Sequence, residues 1–278
     1  MKANISYRIH LNWCKFEINR ANSCPMDKVT ELAKMIDHSL LHPTMTDEDL
    51  RQGCLLAKKY NVATVCIKPY AIKEALEWLK GSDVMVCAVI GFPHGNSTTA
   101  VKVFETEQAC KDGAHEIDMV VNIGKVLGEY WPYIEEEIAA IVAVTKKHKA
   151  ALKVIFENDY LPDDKFKIRL CEICSRLKVE FVKTSTGYGF IKGDDGKFSY
   201  EGATEKDLIL MRKHSAPEVQ IKAAGGVRTL DDLLKVKSLG VTRVGATATA
   251  AMLEEAKKRF GGQTEDNEFV NAKIKGGY

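Results

Sequence analysis

The sequence predicts an α/β fold: a single (β/α)8 TIM barrel with an N-terminal accessory segment and a flexible C-terminal tail. Three observations predict it. From Asp27 onward, short apolar runs alternate about eight times with longer amphipathic stretches, the order that gives parallel strands joined by right-handed crossovers. Eight such units close into a barrel, where five or six would leave an open doubly wound sheet. No linker interrupts Asp27 to Gly261, and that span matches the roughly 250 residues such a barrel uses as one domain. Residues 1–26 are then the accessory segment, 27–261 the barrel and 262–278 the tail.

Met35–Ser39 is the first strand. The helical pattern DEDLRQGCLLAKKY follows it, opened by Thr46 as a cap ahead of Asp47 and Glu48. Val62–Ile67 and Val84–Ile90 are the second and third strands, and TAVKVFETEQACKDG is the next helix. Gly113 closes that helix where a left-handed residue is wanted. Glu116–Val121 is the fourth strand, followed by YIEEEIAAIVAVTKKHKA. Leu152–Glu157 is the fifth, followed by FKIRLCEICSRL. Phe181–Thr184 and Gln220–Ala223 are the sixth and seventh. TLDDLLKVKSLG then starts on a variant capping box, Thr229 with Asp232, and ends at Gly240. Arg243–Gly245 is the eighth strand and the shortest.

Composition excludes several classes. Of 278 residues, 45% are hydrophobic and 28% charged, ordinary values for a soluble globular chain. A net charge of +2 makes no electrostatic case for nucleic acid or an acidic membrane surface. No run reaches the roughly 18 apolar residues that span a bilayer. The first 24 residues lack the apolar core of a secretory signal. Tyr7, Ile9, Leu11 and Trp13 alternate as in a strand instead. The eight cysteines are scattered, several in apolar runs, as reduced buried thiols of a cytoplasmic protein would be. Cys171 and Cys174 have no second pair at zinc-ribbon spacing, and His38 and His42 straddle a strand end and a loop, so no metal is expected.

The strands that should be apolar carry polar residues: Asp37, Cys66, Asp118, Lys153 with Glu157, Lys183 and Lys222. A buried ammonium is costly unless paired or neutral. In this fold, chemistry gathers at the C-terminal ends of the strands. A neutral lysine in a dry, positively charged setting attacks carbonyls to form a Schiff base. One lysine then serves as nucleophile while the others tune it, with Asp118 in proton transfer. The residues alone do not rank Lys183 above Lys222. STG, GGVRT and GATAT follow the last three strands and bring unobstructed N–H groups to one corner, the usual phosphate site of the fold.

At these residues the chain resembles the deoxyribose-phosphate aldolases, class I aldolases on a (β/α)8 barrel. The matching stretches are IDHSLLHPT, VCIKPY, AVIGFPHG, GAHEIDMVVNIG, LKVIFE, FVKTSTG, IKAAGGVRT and RVGAT, in order along nearly the whole chain. The resemblance implies Lys183 as the Schiff-base lysine, Lys222 as the second lysine and Asp118 as the relay acid. It implies Asp37, Cys66, Lys153 and Thr184 along the pocket. Gly187, Gly225, Gly226, Gly245 and Thr247 would surround a substrate phosphate. The terminal Tyr278, in KIKGGY, matches a tail tyrosine that in some members reaches the active site. The implied substrates are a phosphorylated sugar and acetaldehyde, with no cofactor and a homodimeric assembly.

Two departures stand out. Where the family often has paired serines after the last strand, this chain has Thr247 then Ala248. The loop after KTSTG is extended by FIKGDDGKFSYEG, in which Asp194-Asp195-Gly196 reads as a type I′ hairpin turn. That hairpin is expected over the barrel mouth as a lid or a partner surface. A Schiff-base aldolase for an unphosphorylated or different aldehyde, and a silent barrel used as a binding scaffold, are the competing readings at this level.

Overall fold

A computed structural model describes residues 27–193 and 195–261. The strand-like alternation of Tyr7 to Trp13, the accessory segment and the tail with Tyr278 lie outside them.

Eight parallel strands close a barrel. In chain order they are β1 (Ile36–Leu40), β2 (Thr64–Ile67), β3 (Met85–Ile90), β4 (Glu116–Val120), β5 (Ala151–Ile155), β6 (Phe181–Lys183), β9 (Gln220–Ala224) and β10 (Arg243–Ala246). Each pairs with the next, and β10 returns to β1 through Asp37 opposite Gly245. All eight expected strands are present, shifted by a residue or two at their ends. Around them run α1 (Lys28–Ala33), α2 (Asp47–Tyr60), α3 (Ile72–Trp78), α4 (Thr99–Asp112), α5 (Ile123–Leu127) and α6 (Trp131–His148). The ring is completed by α7 (Asp164–Leu177), α8 (Glu205–His214), α9 (Leu230–Ser238) and α10 (Thr249–Phe260). Among the described residues, no helix is long and apolar enough to cross a membrane.

Local chemistry sets the helix ends. Thr46 and Asp49 form a reciprocal capping box on α2, and Thr229 and Asp232 do the same on α9, satisfying N–H groups the first turn leaves open. Gly113, at φ +106, ends α4 in the left-handed conformation.

The main hydrophobic core lies between strands and helices, where Ile36, Leu50, Ile138, Leu170, Leu233 and Leu253 are fully buried. Each such side chain contributes about 1.5–3 kcal/mol by leaving water. Within the same shell, Lys102 of α4 donates to Glu137 of α6 and to the carbonyl of Val120, at 2.8 Å each. The far Glu137 oxygen accepts from the Asn122 amide at 3.1 Å. This pair ties two helices to the C-terminal end of β4, close to the barrel mouth.

Inside the barrel, Leu41, Cys66, Cys87 and Val89 form an inner apolar cluster, roofed by Phe92 and Tyr188 packed edge to face at 5.5 Å. Beside it lies an ionic layer, against which the Phe181 ring packs, 5.8 Å from Lys153 and 5.2 Å from Arg243; such barrels more usually hold branched aliphatic layers.

The expected hairpin is present, with a different turn. β7 (Ile191–Lys192) and β8 (Phe198–Ser199) pair antiparallel. A type I′ turn belongs to a two-residue loop, and here the loop is longer, with Gly196 at φ +78. The Gly196 amide donates to the Gly193 carbonyl and the Gly193 amide to Lys197, leaving Gly196 as the left-handed residue of a longer loop.

Candidate active site

Strand register assembles the site. Asp118 lies opposite Lys153, Lys183 opposite Lys222, and Lys222 opposite Arg243. Parallel neighbours at one height point to the same face, so these side chains meet as one layer inside the barrel.

Asp118 is its hub. One carboxylate oxygen accepts from Lys153 at 2.8 Å and from the Cys87 thiol at 3.1 Å. The other accepts from Lys183 and from Lys222, both at 2.7 Å. Lys222 also donates to Asp37 at 2.5 Å. Arg243 spans Asp37 at 2.6 Å and Glu116 at 2.8 and 3.1 Å, and Lys153 reaches Glu116 at 2.5 Å. Four basic side chains therefore face three carboxylates, and the layer balances when one basic group is neutral. Lys153 contacts three carboxylates and Lys222 two, whereas Lys183 contacts one.

Burial would raise Asp118 and Asp37. Lys153, Lys183 and Lys222 around Asp118, and Arg243, Lys222 and Lys153 around Asp37, more than reverse it and hold both well below the carboxylate range. For Lys222, burial pulls down while Asp118 and Asp37 push up further, and the ammonium stays charged. Lys153 is likewise held charged, against its burial, by Asp118, Cys87 and Glu116. Close opposite charges decide the protonation of these groups, since removing either partner would strand the other in a dry interior.

Above this layer, at the C-terminal ends of the strands, is a cavity lined by Lys183, Gly187, Gly225, Gly226, Gly245 and Thr247. It also meets Ser39, Thr186, Arg228 and Tyr200. Lys183 is the one lysine of the layer in that lining; Lys222 lies beneath, fully buried. Gly187, Gly225 and Gly226 have φ of +88, +85 and +88, a region costly to side chains, so the lining here is bare backbone.

The sequence-predicted residues therefore divide. Lys183 and the glycine corner with Thr247 line the cavity. Asp37, Asp118, Lys153 and Lys222 form the ionic layer under it. Cys66 lies at its edge, its sulfur 3.8 Å from Asp118. Thr184 is brought to the site but not to the cavity lining: its hydroxyl donates to the Ala224 carbonyl at 3.1 Å and accepts the Ala224 amide at 3.0 Å. Tyr278 lies outside the described residues.

Glu157 is not in the barrel interior. It lies just past β5 in a left-handed conformation, φ 58, and its buried carboxylate accepts from the Thr186 amide and hydroxyl. Burial pushes it up to about 7. Cys87, Glu116 and Arg243 belong to the layer but were not singled out from sequence. The signal was there for two of them: Glu116 stands two residues before Asp118 and Arg243 two before Gly245, on the same faces.

The cluster of Cys66, Cys87 and Asp118 has metal-ligand donors within reach of one another. Lys153, Lys183 and Lys222 already occupy the Asp118 oxygens, so a cation there would compete with three lysine amines. His38 and His42 are engaged apart, His38 with Thr249 at 2.8 Å and His42 with Thr44 at 2.7 Å. Cys171 and Cys174 are buried thiols within α7.

The sequence pattern of the DeoC/LacD family aldolases matches residues 31–253. A deoxyribose-phosphate aldolase of Rhodopirellula baltica is 52% identical over 231 residues, 83% of this chain and 91% of that protein. One of Clostridium perfringens is 44% identical over 229 residues, 82% of this chain and 96% of that protein. Among solved structures, the tetrameric deoxyribose phosphate aldolase of Aeropyrum pernix superimposes with a TM-score of 0.72 at 29% identity, covering 83% of this chain and 93% of that one.

Proposed function

The chain belongs to the DeoC/LacD family aldolases, and on that premise we propose that it is a class I deoxyribose-phosphate aldolase with Lys183 as its Schiff-base lysine. It reversibly cleaves 2-deoxy-D-ribose 5-phosphate to D-glyceraldehyde 3-phosphate and acetaldehyde. The observation that carries the assignment of the lysine is positional. Lys183 alone of the layer's basic groups lines the cavity, and it has a single carboxylate partner.

The open-chain sugar enters with its phosphate on the N–H groups around Gly187, Gly225, Gly226 and Gly245, and with Thr247 beside them. The neutral Lys183 amine adds to the C1 aldehyde, giving a carbinolamine that loses water to a protonated imine. The imine is the electron sink. As the C3 hydroxyl gives up its proton toward Asp118 and Lys222, the C2–C3 electron pair moves into an enamine and glyceraldehyde 3-phosphate leaves. The enamine takes a proton at C2, and water releases acetaldehyde and restores the amine. Asp118 bridges Lys183 and Lys222 through one oxygen, which makes it the short path for protons between them. Lys153, Asp37, Glu116 and Arg243 keep that path charged and aligned. Tyr278 completes the proposal as an acid for the enamine carbon.

Borohydride with acetaldehyde tests this directly. A reduced two-carbon adduct maps to Lys183 and is lost in Lys183→Ala, along with cleavage. An adduct on Lys222, or cleavage surviving in Lys183→Ala, overturns the assignment. A homodimer working in the cytoplasm belongs to the same reading. Exposed Val101 and Phe104 on α4 offer it apolar surface, as do Leu127 at the end of α5 and Tyr130 after it, and sedimentation of the native and Phe104→Glu proteins checks that.

A further inference from the structure

The insertion between β6 and α8 delivers a side chain into the substrate cavity. Tyr200 lines it together with Lys183, Gly187, Gly226 and Thr247. Its ring carbon Cε2 lies 3.2 Å from where a Cβ on Gly225 would stand, so the ring rests on the glycine corner itself.

The root of the insertion is fastened from three sides. Phe190 packs edge-on against Tyr200 at 5.3 Å, and the Tyr160 hydroxyl donates to the Phe190 carbonyl at 3.3 Å. The amides of Glu201 and Gly202 donate to the Asp159 carboxylate at 2.5 and 3.1 Å. The Ala203 amide donates to the Gly225 carbonyl at 3.1 Å, and Gly202 is pressed so near that a Cβ on it would fall 2.8 Å from the Gly225 carbonyl carbon. The tyrosine is thus tied to the same backbone that forms the corner. Among the described residues its hydroxyl takes no hydrogen bond.

A phenol is a hydrogen-bond donor, and a corner of open backbone amides is built for an oxyanion. We infer that Tyr200 is a specificity-determining residue whose hydroxyl donates to the phosphate end of the substrate. The inference rests on the aldolase reading above, and it gives the insertion a role in substrate choice.

Two measurements test it. The first compares kcat/KM for 2-deoxyribose 5-phosphate and for 2-deoxyribose in the native enzyme, Tyr200→Phe and Tyr200→Ala. Losing a donor to a charged acceptor lowers the preference for the phosphorylated sugar about tenfold in Tyr200→Phe, through KM more than kcat. The second measures inorganic phosphate binding, which needs no cleavage, and expects a weakening of about the same tenfold size. A native preference and native phosphate binding in Tyr200→Phe overturn the inference, as does a loss confined to Tyr200→Ala, which would assign the effect to ring packing. A native enzyme that cleaves neither sugar defeats the aldolase reading instead, while the phosphate measurement still judges Tyr200.

Discussion

At the scale of single residues, the site is governed by an uneven count of charges. Four bases face three carboxylates, so Lys222→Met leaves three against three, and the layer then balances without a neutral amine. On the proposed role of Lys222, cleavage by that variant is expected to fall about 100-fold or more near neutral pH, because charge tuning and proton transfer would both be lost. Raising the pH recovers part of it. A pH–rate profile with the native shape would show that Lys222 acts by packing alone. The sequence disclosed most of this layer, since a lysine or aspartate inside an apolar strand is conspicuous. Arg243 was less visible because it opens a strand barely longer than a turn. Thr184 looked like a substrate contact, but its hydroxyl is consumed by the backbone of Ala224, a cross-strand event that no local pattern announces.

At the scale of elements, the eight strands were legible because strands covered on both faces read as nearly continuous apolar runs. The hairpin was legible too, though its turn was not. Asp-Gly favours type I′ when the loop has two residues, and here the pairing of Gly193 with Lys197 lengthens it. Gly196 and Gly202 make a paired experiment on this insertion. Both have positive φ, +78 and +70, but a Cβ on Gly196 meets nothing within 4 Å while one on Gly202 strikes the Gly225 backbone. Gly196→Ala should cost about 1 kcal/mol in urea unfolding, and Gly202→Ala up to about 3 kcal/mol, through backbone strain plus collision. Equal costs would mean that the root of the insertion is not pressed on the barrel.

At the scale of the whole molecule, two buried groups oppose each other in pH. Burial holds His38 down to about 4. The unfolded chain takes up this proton near pH 6.5 and the folded one only near 4, so stability falls as pH drops through that window, by roughly 3 kcal/mol. Glu157, raised by burial to about 7, works the other way. Its folded form binds a proton that the unfolded form has released, so its contribution is fullest below about 4.5 and is lost as pH rises toward 7. His38→Asn should flatten the acid side of the stability curve and Glu157→Gln the neutral side, as read by urea midpoints from pH 4 to 8. Unchanged slopes would place the pH dependence elsewhere, in the carboxylates of the barrel interior.

The pairing of β1 with β10 also bears on how the chain is made. Until the ribosome releases Arg243, the nascent sheet has two bare edges, one along β1 and one along β9, and Asp37 lacks its guanidinium partner. Open edges invite pairing with other chains. The ring therefore seals only once β10 has been made, and products that stop before it are the ones most exposed to aggregation.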